Sequence, residues 1–315
     1  MRGILNLRLY RLAGLFPVAW LLLSCATSQL QYTPSVQRYE GSGIPCSGDV
    51  GSGDHELKVM TLNVAHGRGT GFHQMLQNTQ QTVTNLDHIN LLLTEVAPDI
   101  VALQEIDGPS FWSGKFNHVE YLASRSGFSH SVQALHVDAM GLAYGTALVS
   151  RLALSNSRAV TFDPSLSPVP KGFVVSTIRW PGWQGIDIDV VSVHLDFMSG
   201  SIRKTQADEL VALLHARNNP VIVMGDLNSG WHQQESTAQY LVEQLGLTAY
   251  RPEDTTMMTF PALGERLDWI LISSGIEFSS YEVLGTEVSD HRGIVARLTL
   301  PGRQVMGLNS SQIAH

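Results

Sequence analysis

The chain has 315 residues, 43% of them hydrophobic and 15% charged, with a formal net charge of −8. This composition specifies a packed core and excludes an intrinsically disordered protein, while the acidic balance excludes tight retention on nucleic acid through a basic face. Two cysteines exclude a disulfide framework and a Cys-rich zinc site.

In chain order, residues 1–24 read as a targeting segment. Arg2, Arg8 and Arg11 precede an apolar run from Leu12 to Leu23, broken by Gly14 and Pro17. The run is shorter than the ~20 residues a membrane span takes, and its layout is that of a signal peptide. It ends Leu22-Leu23-Ser24-Cys25-Ala26, which resembles the lipobox of bacterial lipoproteins. That resemblance implies lipidation of Cys25, a membrane held through a lipid anchor, and an envelope location, with Ala26 pointing to the outer membrane if the host is Gram-negative. The alternative is an ordinary signal peptide beside a chance cysteine. Removing residues 1–24 leaves 17 basic against 28 acidic residues, a net −11. A nuclease is still compatible with that charge, because carboxylates clustered at a metal site inflate the negative count.

Residues 25–56, rich in Ser, Gly and Pro, read as a flexible tether containing Cys46. One folded domain is expected over 57–300, followed by a tail over 301–315. Strands are expected at 58–63, 99–104, 131–137, 144–150, 157–162, 172–180, 186–194, 220–225, 267–273, 277–284 and 293–300. Helices are expected at 83–97, where Pro98 ends the pattern, and at 201–217 and 235–245. Many strands follow one another at hairpin distance, which points to two packed sheets with helices outside.

Polar residues sit where these apolar runs end. Asn63 closes Val59-Met60-Thr61-Leu62, Glu105 closes Ile100-Val101-Ala102-Leu103-Gln104, and His194 closes Val190-Val191-Ser192-Val193. Asp226 and Asn228 follow Val221-Ile222-Val223-Met224-Gly225; as i and i+2 of an extended chain they are expected to aim at one point. Gly225 leaves room there for a ligand or another backbone. Asp268 precedes Trp269-Ile270-Leu271-Ile272, and Ser289-Asp290-His291 precedes the last strand. Taken singly, Asn63 also reads as a turn former, His194 as a core histidine and Asp290 as a cap. Glu105 and the Asp226/Asn228 pair are harder to explain as structure, since unpaired carboxylates beside buried strands are costly. As a set these are hard oxygen ligands suited to Mg²⁺ or Mn²⁺, with a histidine beside an aspartate. The absence of a Ser or Cys nucleophile motif favours metal-assisted attack of water on a phosphoester.

Seven pieces in order carry a resemblance: Met60-Thr61-Leu62-Asn63, Ala102-Leu103-Gln104-Glu105, Gly145 to Arg151, Ser192-Val193-His194-Leu195, Gly225-Asp226-Leu227-Asn228, Arg266 to Leu271, and Ser289-Asp290-His291. On these the chain resembles the endonuclease/exonuclease/phosphatase superfamily over residues 57–300. The resemblance implies an α+β fold, a four-layered sandwich of two packed, mostly antiparallel sheets flanked by helices. It implies Glu105 as the principal Mg²⁺ ligand, helped by Asn63 and Asp290. It implies His291 as general acid or base oriented by Asp268, Asp226 aligning or deprotonating water, and Asn228 and His194 holding phosphoryl oxygens. Arg203 and Gln206 are expected to be structural anchors. In the long loop after the first strand, Arg68 is a candidate phosphate ligand, and Tyr144 and His136 are candidates for lining the cleft.

The superfamily divides by substrate, so the fold leaves substrate open. Gly264-Glu265-Arg266-Leu267-Asp268-Trp269 departs from the block that inositol phosphatases carry there. The expected protein is a monomeric, exported phosphodiesterase acting on nucleic acid. Alternatives are a phospholipid or small-organophosphate hydrolase at the envelope, where a lipid anchor raises the effective headgroup concentration, and a binding lipoprotein without turnover.

Overall fold

Period-2 alternation within the apolar runs builds the core. In β3 (Leu57–Asn63) Leu57 and Val59 face one way and Met60 and Leu62 the other, all buried. The computed structural model describes residues 30–39, 56–163, 169–181 and 186–300. Cys25, Cys46 and the 301–315 tail lie outside the described residues.

The strands are β1 (Leu30–Tyr32), β2 (Gln37–Arg38), β3, β4 (Ile100–Asp107), β5 (His130–Ala139), β6 (Leu142–Ser150), β7 (Ser155–Thr161), β8 (Gly172–Arg179), β9 (Asp187–His194), β10 (Val221–Asp226), β11 (Leu247–Ala249), β12 (Asp268–Ser273), β13 (Glu277–Val283) and β14 (Ile294–Thr299). The helices are α1 (Thr79–Val96), α2 (His118–Arg125), α3 (Gly200–Arg217) and α4 (Thr237–Leu245). One seven-stranded sheet runs β1-β7-β8-β9-β10-β12-β11, the other β13-β14-β3-β4-β6-β5-β2. Among the described residues, only β3/β4 and β9/β10 pair in parallel.

Three apolar layers hold these pieces. Between the sheets, Val59, Ile100 and Ala102 meet Val190, Ile222, Met224 and Ile270. Outside one sheet, Leu62, Val101 and Leu103 pack on Leu86, Ile89 and Leu93 of α1 and Leu122 of α2. Outside the other, Val191, Val193 and Val223 pack on Leu210 and Leu214 of α3 and Leu241 of α4. The expected four-layered α+β sandwich is therefore present.

The expected tether is corrected over residues 30–38. β1 pairs with β7 and β2 with β5, each closing the open edge of a sheet. Tyr32 Oη accepts from the Leu135 amide at 3.0 Å, and Arg158 donates to Thr33 Oγ1 at 2.7 Å. Such short edge strands live on backbone hydrogen bonds and need no apolar periodicity. β4 runs three residues further than expected, to Asp107, through a register shift at Glu105.

Candidate active site

At one end of the sandwich the inward-facing rows change from apolar to polar. Along β3 the row reads Leu57, Val59, Thr61, Asn63; along β9 it reads Val190, Ser192, His194; along β10 it reads Ile222, Met224, Asp226. Antiparallel β12 presents its first residue, Asp268, at the same end, because Asp268 pairs with Asp226. Thr61 donates to Gln104 Oε1 at 3.3 Å, and Gln104 Nε2 donates to Ser192 Oγ at 3.0 Å across the sheets. The apolar core thus ends in a satisfied polar floor beneath the site.

Glu105 reaches the site because the backbone breaks its alternation. Its φ is +50°, and the ladder to β6 slips by one residue between Gln104 and Ile106. This bulge re-aims a side chain that strict alternation would direct at α1. The Glu105 carboxylate lies 3.3 Å from Lys171 Nζ, 3.6 Å from His66 Nε2 and 3.9 Å from His194 Nε2. Burial pushes its pKa up, and Lys171, His66 and His194 outweigh that, holding it well below the usual carboxylate range.

Asp226 and His291 meet across the gap. Asp226 Oδ2 lies 3.3 Å from His194 Nε2 and 3.8 Å from His291 Nε2, and accepts from Asn63 Nδ2 at 3.1 Å. Burial raises the Asp226 pKa, and His291 and His194 outweigh it, bringing it down to about 2. His291 Nδ1 bonds Asp268 Oδ2 at 2.8 Å. Burial works against its charge, but Asp268 and Asp226 push its pKa up to about 10. Burial first, then Lys171, lowers His194, so its ring is neutral.

The remaining expected residues are placed as follows. Asn63 Oδ1 accepts from the Ala65 amide at 3.0 Å while its Nδ2 supports Asp226. Asp290 pairs with Arg68 at 2.6 Å, and Arg68 also donates to Gly71 O at 3.0 Å. Asp226 and Asn228 do not aim at one point. The chain leaves the extended conformation at Asn228 (φ +48°), whose amide nitrogen donates to Leu195 O at 3.0 Å while its backbone N–H donates to Asp226 Oδ1. Gly225 makes room for backbone: a Cβ there would sit 1.9 Å from Val193 O of β9. Gln206 accepts from the Asp196 amide and Arg203 donates to Asp196 O, which makes both structural anchors. His136 is buried between Thr161 and Thr146 hydroxyls and is lowered to about 3 by burial, His194 and Lys171; it lies beneath the site and is neutral.

Lys171 escaped the sequence reading. Its Nζ lies 3.0 Å from His194 Nε2, 3.1 Å from His194 Nδ1 and 3.3 Å from Glu105. It precedes β8, which is antiparallel to β9 and places Gly172 opposite His194. The available signal was a lysine directly before Gly172-Phe173-Val174-Val175, read from the wrong end of the strand. Asp107 was missed as well. It accepts from His66 Nδ1 and Trp112 Nε1, both at 2.7 Å. Trp112 stacks with Tyr144 at 5.6 Å, and His66 sits edge-on to both rings. Tyr144 is therefore part of an aromatic wall beside Glu105, and burial, then Glu105 and Asp107, keep its phenol protonated.

The donor set fits a hard divalent cation. Asp226, Asp268 and His291 offer ligand atoms within 4.8 Å of one another, and buried Asp268 Oδ1 has no hydrogen-bond partner. Glu105 and Asp290 are the carboxylates open to solvent, at 21% and 28% exposure against 1–2% for Asp268 and Asp226.

A family model described as the endonuclease/exonuclease/phosphatase family matches residues 60–291. Among solved structures, an endonuclease/exonuclease/phosphatase from Beutenbergia cavernae DSM 12333 is 20% identical over 78% of this chain and 72% of its own, with a TM-score of 0.61. The human Nocturnin catalytic domain with bound sulfate anion is 16% identical over 84% of this chain and 97% of its own, at 0.59. SmcL is 18% identical over 78% of this chain and 99% of its own, at 0.56. At these identities the likeness is one of fold. No curated protein matches the chain.

Proposed function

Because the chain belongs to the endonuclease/exonuclease/phosphatase family, whose members are generally hydrolases of phosphoesters, we propose that it is a divalent-metal-dependent phosphodiesterase that cleaves a P–O bond by attack of water. The observation that carries this reading is the His291–Asp268 pair set against ionised Asp226. Glu105, with Asn63 and Asp290, would hold a Mg²⁺ or Mn²⁺ ion, Glu105 and Asp290 being the carboxylates that solvent reaches; the ion would replace Lys171 and Arg68 as their counter-charge, and the Asp226–Asp268–His291 cluster is left to the proton work. When bound, the ion supplies positive charge against the developing charge on the phosphoryl oxygens.

The residues divide the proton work. Asp226, ionised at neutral pH, orients water and accepts its proton at Oδ2. His291 has Nδ1 committed to Asp268, which leaves Nε2 to deliver a proton to the leaving oxygen. Lys171 and the neutral His194 ring provide fixed donors for phosphoryl oxygens. Tyr144 contributes a protonated phenol on the aromatic wall beside Glu105. The role of Arg68 as a phosphate contact requires it to share its guanidinium with Asp290.

The substrate is a phosphodiester of nucleic acid or of a phospholipid or small organophosphate. The protein is further proposed to be an exported monomer anchored through Cys25, and an exported wild-type chain whose intact mass showed no acyl chains on Cys25 would overturn the anchor. The deciding experiment compares Mg²⁺-dependent hydrolysis of a diaryl phosphate diester and an aryl phosphate monoester. Diester turnover that disappears in His291→Ala is expected; monoester turnover alone would make the protein a phosphatase. A correctly folded protein inert toward both would favour a binding lipoprotein.

A further inference from the structure

Ten large apolar side chains stand exposed among the described residues, and eight of them belong to the connections that leave or enter the strand ends bearing the site residues. Phe72 and Leu76 are each 75% exposed, Met140 67% and Met198 64%; Phe111 and Phe197 are 51% exposed. Only Tyr32 and Leu91 lie elsewhere. Side chains of this kind gathered on one end mark a surface built to be covered.

The loops are fixed to the site. Arg68 holds Gly71, next to Phe72, and also holds Asp290. The Phe111 amide donates to Gly141 O in the turn that carries Met140, and neighbouring Trp112 holds Asp107. Leu195, two residues before Phe197, accepts from Asn228. Exposed apolar side chains therefore stand on three segments that are each anchored to a site residue. Nucleic acid would call for cations here. Segments 70–78, 108–117, 139–142, 195–199 and 260–265 together carry one lysine, Lys115, against Asp196 and Glu265.

We propose that these loops form a collar that seats the mouth of the site on a zwitterionic lipid surface, so that the phosphodiester of a lipid headgroup is the substrate. The proposal rests on the phosphodiesterase reading above. Water adds across the P–O bond: its oxygen joins phosphorus, the ester oxygen leaves with a proton, and the products are a phosphomonoester and an alcohol. Apolar burial draws the collar into the interface, while the chain's net charge of −8 disfavours an anionic surface.

The test uses the full chain with Cys25→Ser and Cys46→Ser, and one new cysteine carrying an environment-sensitive fluorophore. The cysteine is Met140→Cys on the collar or Leu91→Cys on the outer face of α1. On adding phosphatidylcholine vesicles, a blue shift is expected at position 140 and none at 91, unchanged by added salt. In Phe72→Ser/Leu76→Ser the apparent vesicle affinity should fall by at least about tenfold, with soluble aryl diester turnover unchanged. Equal responses at both positions, as a leader alone would give, overturn the proposal. So does no response, or a salt-sensitive response to a single-stranded oligonucleotide in place of vesicles. The label shift is independent of turnover, so failure to cleave the soluble diester would sink the phosphodiesterase reading and leave the collar to be judged by its own signal.

Discussion

Glu105 and Lys171 show how single residues are made to work here. A glutamate in the left-handed region is strained, and the ladder slips to accommodate it. Lys171 and Glu105 lie 3.3 Å apart in a pocket that also holds His194. Lys171→Met is expected to lower diester turnover by about 10²-fold, the usual loss for one preorganised donor, with circular dichroism unchanged; wild-type turnover would remove Lys171 from the phosphoryl site. His291 gives a pH prediction. Its pKa stands above the ordinary 6.5, at about 10, so its charge contributes stability fully below pH 6.5 that is lost as pH rises toward 10. The Tm difference between wild type and His291→Gln should be widest near pH 6, where Asp268 is still ionised, and close toward pH 10. A difference independent of pH would mean the His291–Asp268 pair is not an ion pair.

At the scale of elements, the apolar strands were legible because alternation and burial act locally on five to seven residues. The same logic identified Asn63, Glu105, His194, Asp226 and Asp268 as polar residues ending apolar rows. Helix α2 was missed although Asn117 caps it and Val119, Leu122 and Ala123 repeat at helical spacing; two turns give periodicity little room. The Glu105 bulge is illegible, since it depends on which strand lies alongside. β1 and β2 were hidden because sheet edges, not side chains, recruit them. Deleting residues 30–38 is expected to lower Tm by about 3–6 °C, as a loss of one to two kcal/mol does in a domain of this size, and to leave diester turnover intact. Unchanged Tm would mean that the edge strands add no stability.

On the scale of the whole molecule, the site is assembled from two sheets. One supplies Asn63, Glu105 and Tyr144 and, beside β14, His291; the other supplies His194, Asp226 and Asp268, with Lys171 at the start of β8. The His291–Asp268 pair, the Asn63–Asp226 bond and the Lys171–Glu105 pair all cross the gap. Gln104→Leu would break the polar floor without touching the proton-carrying groups. Turnover should therefore fall more than tenfold for a stability loss of about 1–3 kcal/mol from the orphaned Thr61 hydroxyl, Ser192 keeping its bond to Leu103 O. Wild-type turnover in a folded Gln104→Leu protein would show that registration of the sheets is set elsewhere.

The order in which the chain visits the two sheets has a consequence for its biosynthesis. β3, the first long strand, pairs with β14, the last, and His291 lies just before it. A nascent chain that has already made Glu105, His194 and Asp226 still lacks His291, the proton donor of the proposed mechanism, and the strand between β13 and β3. On that proposal catalytic competence is a terminal event of translation, and a ribosome stalled short of residue 291 would hold a chain unable to attack phosphodiesters of the cell that is making it.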